Sequence, residues 1–246
     1  MQMAPMSAID VEQYRKNGYL TTTAVVGSDT LEDLRAEADR VLTLCASDPQ
    51  RYAPRLEWEL DHLAATDRAG MDRVIRKIEP VSDLSPCFHD FAFAPPILDA
   101  VTAILGEPAA LFEDKLNLKL PGGSAYPWHQ DWVCCWQAHT DALITAFVYL
   151  DDADATNGCL QVIPGSHLGR PILPFRPGSR FEVDPTSVDQ SRALPVPLRA
   201  GEMILFDPYL LHYSDMNRSR SPRRAIIYTY YPASQGVINT ERFPTT

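Results

Sequence analysis

The chain has 246 residues, 45% of them hydrophobic and 22% charged, with a formal net charge of −10 at pH 7. That length supports a sizeable buried core in one or two domains, and the acidic balance, with no lysine- or arginine-rich run, excludes the basic footprint of a nucleic-acid surface. No apolar stretch reads as the ~18 residues that span a bilayer, and residues 1–5 lack the regions of a secretion signal, so the expectation is a cytoplasmic protein without membrane partners.

In chain order, Ser7 caps a helix expected over Ala8 to Lys16, and Gly18 stops it. Tyr19 to Val26 is rich in Thr and Val and reads as a strand. Asp29-x-x-Glu32 resembles a capping box, and Leu31, Leu34, Ala38, Val41 and Cys45 recur behind it with a helical period. Residues 48–90 are mixed and carry no clear pattern. Pro95-Pro96 opens a helix over Ile97 to Leu105, which Gly106 closes. From residue 110 the character changes. Short β-like runs cover Ala110 to Leu120, Ala125 to Trp132, Ala142 to Leu150, Cys159 to Ile163, Met203 to Phe206, Leu210 to Ser214 and Arg224 to Tyr231. Pro121-Gly-Gly123, Asn157-Gly158, Pro164-Gly165 and Ala200-Gly201 separate them. A mostly helical part over 1–109 and a β core over 110–232, in one domain spanning 1–246, predict a mainly β fold: helices packed on a sandwich or barrel.

One stretch breaks the rhythm. Gly169 to Val196 is proline-rich and without a clear strand, the kind of loop that often serves as a lid. Its Arg170, Arg176 and Arg180 either recognise an anionic substrate or pair with Glu182 and Asp184. The five cysteines (Cys45, Cys87, Cys134, Cys135 and Cys159) form no C-x-x-C and read as reduced thiols.

The chemistry gathers around His129-Gln-Asp131 and His212. Residues i and i+2 of a strand share a face, so His129 and Asp131 can grip one ion. Two histidines and a carboxylate form the facial triad that holds non-heme Fe(II) with open positions. A second match, His139-Thr-Asp141, lies in a loop and reads as a surface histidine. Leu210, His212 and Ser214 share a face, and a polar turn leads on to Arg223-Arg224. An arginine turned into a barrel beside a metal anchors a dicarboxylate; strand phase does not choose between 223 and 224. Trp128, Trp132 and Trp136 flank the metal motif as pocket lining or as packing.

Pro127-Trp-His-Gln-Asp131, Asn157-Gly-Cys-Leu-Gln-Val-Ile-Pro-Gly-Ser-His167, Gly201-Glu-Met-Ile-Leu-Phe206, and His212-Tyr-Ser214 with Arg223-Arg-Ala225 together resemble the phytanoyl-CoA dioxygenase family. The resemblance covers roughly residues 8–232. It implies a double-stranded β-helix, a cupin-like jelly roll, that uses Fe(II), 2-oxoglutarate and O2. The implied activity is hydroxylation of a small-molecule substrate with release of succinate and CO2. It also implies His129, Asp131 and His212 as iron ligands and Arg223, helped by Ser214, as the anchor for the far carboxylate of 2-oxoglutarate. Asn117 or Lys119 falls at a polar cosubstrate contact, His167 is structural, and retention of Asp131 disfavours halogenation. The competing readings are another metalloenzyme on the same barrel, an isomerase or hydrolase, and a non-catalytic binding module.

Overall fold

A computed structural model describes residues 6–23, 25–63, 70–71, 73–133, 140–179 and 181–238. Helix α1 (Ala8–Asn17) starts where Ser7 predicts. The Ser7 hydroxyl accepts from the Asp10 N–H, the Asp10 carboxylate accepts from the Ser7 N–H, and Gly18 stops the helix at φ 82°. Helix α2 (Ser28–Ser47) corrects the second cap. Extended Gly27 leads into it without a side-chain bond, so Asp29 sits inside the first turn rather than capping it. Its periodic Leu34, Ala38, Val41 and Cys45 are buried as expected.

The unpatterned region 48–90 contains α3 (Pro49–Tyr52), β2 (Leu56–Trp58), β3 (Ile75–Ile78) and α4 (Pro86–Ala92). With β1 (Tyr19–Thr22), the N-terminal part therefore supplies three strands to the β core beside its helices. Helix α5 (Pro95–Leu105) ends at Gly106 with φ 79°. Pro86–Leu105 is also a 20-residue stretch of mean hydropathy 1.2, apolar enough by length and composition to cross a membrane, which the sequence reading passed over. It is broken into two helices ahead of Pro95, and Phe88, Phe91, Ile97, Val101 and Ile104 pack into the main core.

The remaining strands are β4 (Ala109–Lys119), β5 (Tyr126–His129), β6 (Ile144–Tyr149), β7 (Leu160–Val162), β8 (Leu194–Val196), β9 (Met203–Phe206), β10 (His212–Ser214) and β11 (Arg223–Pro232). They form two antiparallel sheets, β1-β9-β6-β11-β4-β3-β2 and β5-β10-β7-β8, which face each other as in a jelly roll. The large sheet separates two environments by strand alternation. Leu116, Leu118, Ala146, Val148, Leu205, Ile226, Tyr228 and Tyr230 turn outward under the helices. Phe147, Tyr149, Ile204, Phe206, Ala225 and Ile227 turn inward against Leu160, Val162 and Val196 of the small sheet. The inner face is organised in cross-strand rows. One row joins Glu57, Lys77, Asn117, Ala225 and Tyr149, and the next joins Lys115, Ile227, Phe147 and Ile204.

Candidate active site

Strands β5 and β10 are neighbours, with His129 directly opposite His212 and their ring centroids 4.0 Å apart. The expected strand over Ala125 to Trp132 is shorter than predicted. It ends at His129, and Asp131 opens a tight turn over Asp131–Val133 held by a Trp132 N–H bond to the Pro208 carbonyl. The turn still delivers the carboxylate to the histidines: Asp131 Oδ1 lies 3.5 Å from His129 Nε2 and 3.6 Å from His212 Nε2. One ligand atom from each residue falls within 4.8 Å of the others.

Second contacts fix the imidazoles. His129 Nδ1 lies 2.7 Å from the Pro127 carbonyl, and His212 Nδ1 lies 2.9 Å from that of Leu210. A carbonyl only accepts, so each Nδ1 carries the hydrogen and each Nε2 presents its lone pair to the common centre. Burial, with His129 alongside, lowers the His212 pKa to about 4, which keeps that ring neutral. Burial opposes ionisation of Asp131, but His212, His129 and Lys115 outweigh it and hold the carboxyl below its usual range. Two imidazole nitrogens and a carboxylate converging on one point fit a divalent iron. Gln130, between the ligands, points away. It donates to the Tyr209 and Pro171 carbonyls and accepts from the Leu173 N–H, tying the long loop to the site.

The cavity above these residues measures about 340 Å³. Arg223 reaches into it from the start of β11. Its side chain is 1% exposed, and its Nε and Nη1 have no protein partner. Arg224 turns the other way and pairs with Asp151 at 2.9 Å and Asp39 at 2.6 Å. A buried guanidinium with unpaired donors is costly unless a ligand completes it. Ser214 lines the same cavity, and its hydroxyl accepts from Lys119 Nζ at 2.7 Å. Lys119 also donates to the Ser214 and Asp215 carbonyls, and burial beside Arg223 holds its pKa well below the usual lysine range. Lys119 thus lies behind Ser214, while Asn117 faces the cavity with an unpartnered Oδ1.

Other expected positions fall elsewhere. His167 packs against Gly18 and bonds the Arg15 carbonyl at 3.0 Å, away from the cavity. Trp128 stacks on Tyr213 and Trp132 on Tyr209, and neither lines the cavity. Trp136, His139, Cys134, Cys135 and Arg180 lie outside the described residues. Arg170 pairs with Asp141 and Arg176 with Glu182, so these two arginines are engaged within the protein. The loop contributes Phe181 instead, its ring 4.3 Å from that of His129. The sequence reading missed Glu57, Lys77, Glu113, Lys115, Tyr126 and Phe147, all of which line the cavity. The signal for β4 was present as alternation in Glu113-Asp-Lys-Leu-Asn-Leu-Lys119, but a polar stripe on a strand ordinarily faces water.

A family model described as phytanoyl-CoA dioxygenase matches residues 14–225. A 2-aminoethylphosphonate dioxygenase from the uncultured bacterium HF130_AEPn_1 is 29% identical over 67% of this chain and 62% of its own length. A methylphosphonate hydroxylase from Gimesia maris is 32% identical over 60% of this chain and 55% of its own length. The match thus spans less than two thirds of either relative. Among solved structures, that of EctD from S. alaskensis with 2-oxoglutarate and 5-hydroxyectoine superposes with a TM-score of 0.73. It is 24% identical and covers 94% of this chain and 78% of that one, a likeness of fold.

Proposed function

Because the chain belongs to the phytanoyl-CoA dioxygenase family, we propose that it is a non-heme Fe(II)- and 2-oxoglutarate-dependent oxygenase. In this reading it hydroxylates an unactivated C–H bond of a small metabolite, consuming O2 and releasing succinate and CO2. The observation that carries the reading is the buried Arg223 guanidinium with unpaired donors, lining the same cavity as the His129, Asp131 and His212 cluster. A dicarboxylate would supply the missing partner at Arg223 within the cavity that the metal ligands also line.

The iron, once bound with its cosubstrate and O2, supplies the oxidising chemistry. The chain's own residues do the rest. His129, Asp131 and His212 hold the ion from one side and leave the cavity side open. Arg223 and Ser214 bind the far carboxylate bidentately and by a hydroxyl, with Lys119 orienting Ser214 and Asn117 a further polar contact. Phe181 covers His129 and, with Phe147, Phe206 and Ile227, keeps the reaction centre dry. A single domain in a reducing, cytoplasmic setting accords with this use, and Cys45, Cys87 and Cys159 are free thiols. An isomerase or hydrolase that works without 2-oxoglutarate would have no use for an unpaired arginine there, and a binding module no use for the ligand set.

The test is an anaerobic titration of the metal-free protein with Fe(II) and 2-oxoglutarate, followed by visible absorption. A charge-transfer band that requires both additions supports the reading. Metal binding without the band would favour the other metalloenzymes, and no metal binding would favour a binding module.

A further inference from the structure

The inner face of the large sheet extends beyond the metal cluster. Strands β2, β3 and β4 continue it with Glu57, Lys77, Lys115 and Glu113, which line the same cavity. Side-chain exposure falls from 26% at Glu57 and 24% at Lys77 to 16% at Lys115 and 2% at Glu113. The charged row thus steps from the Glu57–Lys77 pair across β2 and β3 to Lys115 and then Glu113 along β4, with exposure falling on the way. Its charges alternate. Lys77 Nζ lies 2.8 Å from Glu57 and 2.9 Å from Glu79, and Lys115 Nζ lies 2.7 Å from Glu113. Burial works against all of these charges. Even so, the neighbouring carboxylates keep Lys77 and Lys115 protonated, and His62, Lys77 and Arg76 keep Glu57 ionised.

Half-buried pairs of this kind are weak stabilisers, because desolvation offsets most of their attraction. A charged row leading into a reaction cavity points to recognition instead. We propose that Glu57, Lys77, Lys115 and Glu113 form the substrate subsite, and that the substrate is a small zwitterion with an ammonium-type cation and a carboxylate or phosphonate within one short molecule. The proposal rests on the oxygenase reading above. Carboxylates and ammonium groups alternate along the row, so a ligand with both charges can substitute for an internal partner at each end. An anion alone would leave Glu57, Glu79 and Glu113 facing it. An apolar chain would desolvate the row and return nothing. The cavity of about 340 Å³ must also hold the cosubstrate, which leaves room inside it for a group of amino-acid size.

The experiment titrates the anaerobic Fe(II)·2-oxoglutarate protein with probes of defined charge and follows the visible band. Succinate release is then measured in air. The probes are 2-aminoethylphosphonate and a set of amino acids including L-proline as zwitterions, methylphosphonate as an anion, ethylamine as a cation, glycerol as a neutral polyol and phytanoyl-CoA as a thioester. The expected result is a band shift and faster succinate release with one or more zwitterions only. Lys77→Met and Glu57→Gln should each raise that probe's half-saturation about tenfold while 2-oxoglutarate half-saturation stays constant, and Lys77→Arg should recover most of the loss. A purely structural row would lower the melting temperature of the variants without changing the order of the probes, and that outcome overturns the proposal. So does a response to the anion, cation, polyol or thioester at concentrations equal to or below those of every zwitterion, or no response to any zwitterion while the band still forms. Failure of the band itself overturns the parent reading instead.

Discussion

Arg223 and Arg224 are adjacent and of one type, yet their surroundings differ completely. Arg223 is enclosed with donors unspent, and Arg224 is spent on Asp151 and Asp39. Charge-assisted hydrogen bonds contribute about 1.5–3 kcal/mol each. Arg223→Ala, which removes two of them, should therefore weaken 2-oxoglutarate at least about a hundredfold in the anaerobic titration. Arg224→Ala should leave that affinity unchanged and cost about 1–2 kcal/mol in urea denaturation. Strand alternation in the sequence put the two arginines on opposite faces but not in order, because which face is inward depends on the register of β11 against Lys119 and Leu118.

His212 gives a pH prediction for the metal-free protein. Burial, with His129 beside it, lowers its pKa from 6.5 to about 4. The unfolded chain then takes up a proton near pH 6.5 that the folded chain refuses. Stability should be full above that pH and fall as pH drops toward 4, by roughly 3 kcal/mol at most. Denaturation midpoints measured between pH 7 and 4.5 should show this slope in the wild type and a flatter one in His212→Asn.

At the scale of elements, local chemistry was legible and inward polarity was not. Ser7, Gly18 and Gly106 mark helix ends by backbone bonds their neighbours cannot escape, and the helices start or stop there. Strands β2 and β3 escaped notice because they are three and four residues long and carry Glu57, Arg76 and Lys77 toward a cavity. The tight turn at Asp131 escaped for another reason. The Trp132 N–H donates to the carbonyl of Pro208, remote in sequence, and the one local bond, Val133 N–H to the Gln130 carbonyl, is long at 3.4 Å.

Strand β4 shows the cost of a charge on the wrong face. Asp114 points into the apolar core beneath the helices, where Oδ1 accepts from the Val81 and Ser82 N–H groups at 2.6 and 2.8 Å and Oδ2 has no partner. Burial raises its pKa, so its contribution to stability is full below the ordinary aspartate range and declines as pH rises through the folded-state value. Asp114→Asn keeps the acceptor and removes the charge. Its melting temperature should match or exceed wild type at pH 7, and the advantage should disappear near pH 3.5. Asp114→Ala loses both bonds and should cost about 2–3 kcal/mol.

For the molecule as a whole, the sequence supplied the two-layer plan and the metal cluster. It could not supply the partition of the site between layers. His129 and His212 stand on the small sheet, with Asp131 on the turn that follows β5, whereas Arg223 and the charged row stand on the large sheet. Packed side chains such as Phe147, Leu160 and Ile227, with the Lys119 bonds to Ser214 and Asp215 and the Leu160 N–H bond to the Tyr149 hydroxyl, hold those layers at their spacing.

In the proposed oxygenase, a cosubstrate held at the metal and by Arg223 would act as a strut between two plates otherwise joined by packing and a few side-chain hydrogen bonds. Iron alone would brace one plate; iron with 2-oxoglutarate would fasten both. Amide exchange in β5 and β10 should therefore slow modestly with Fe(II), slow much further when 2-oxoglutarate joins it, and lose that second step in Arg223→Ala.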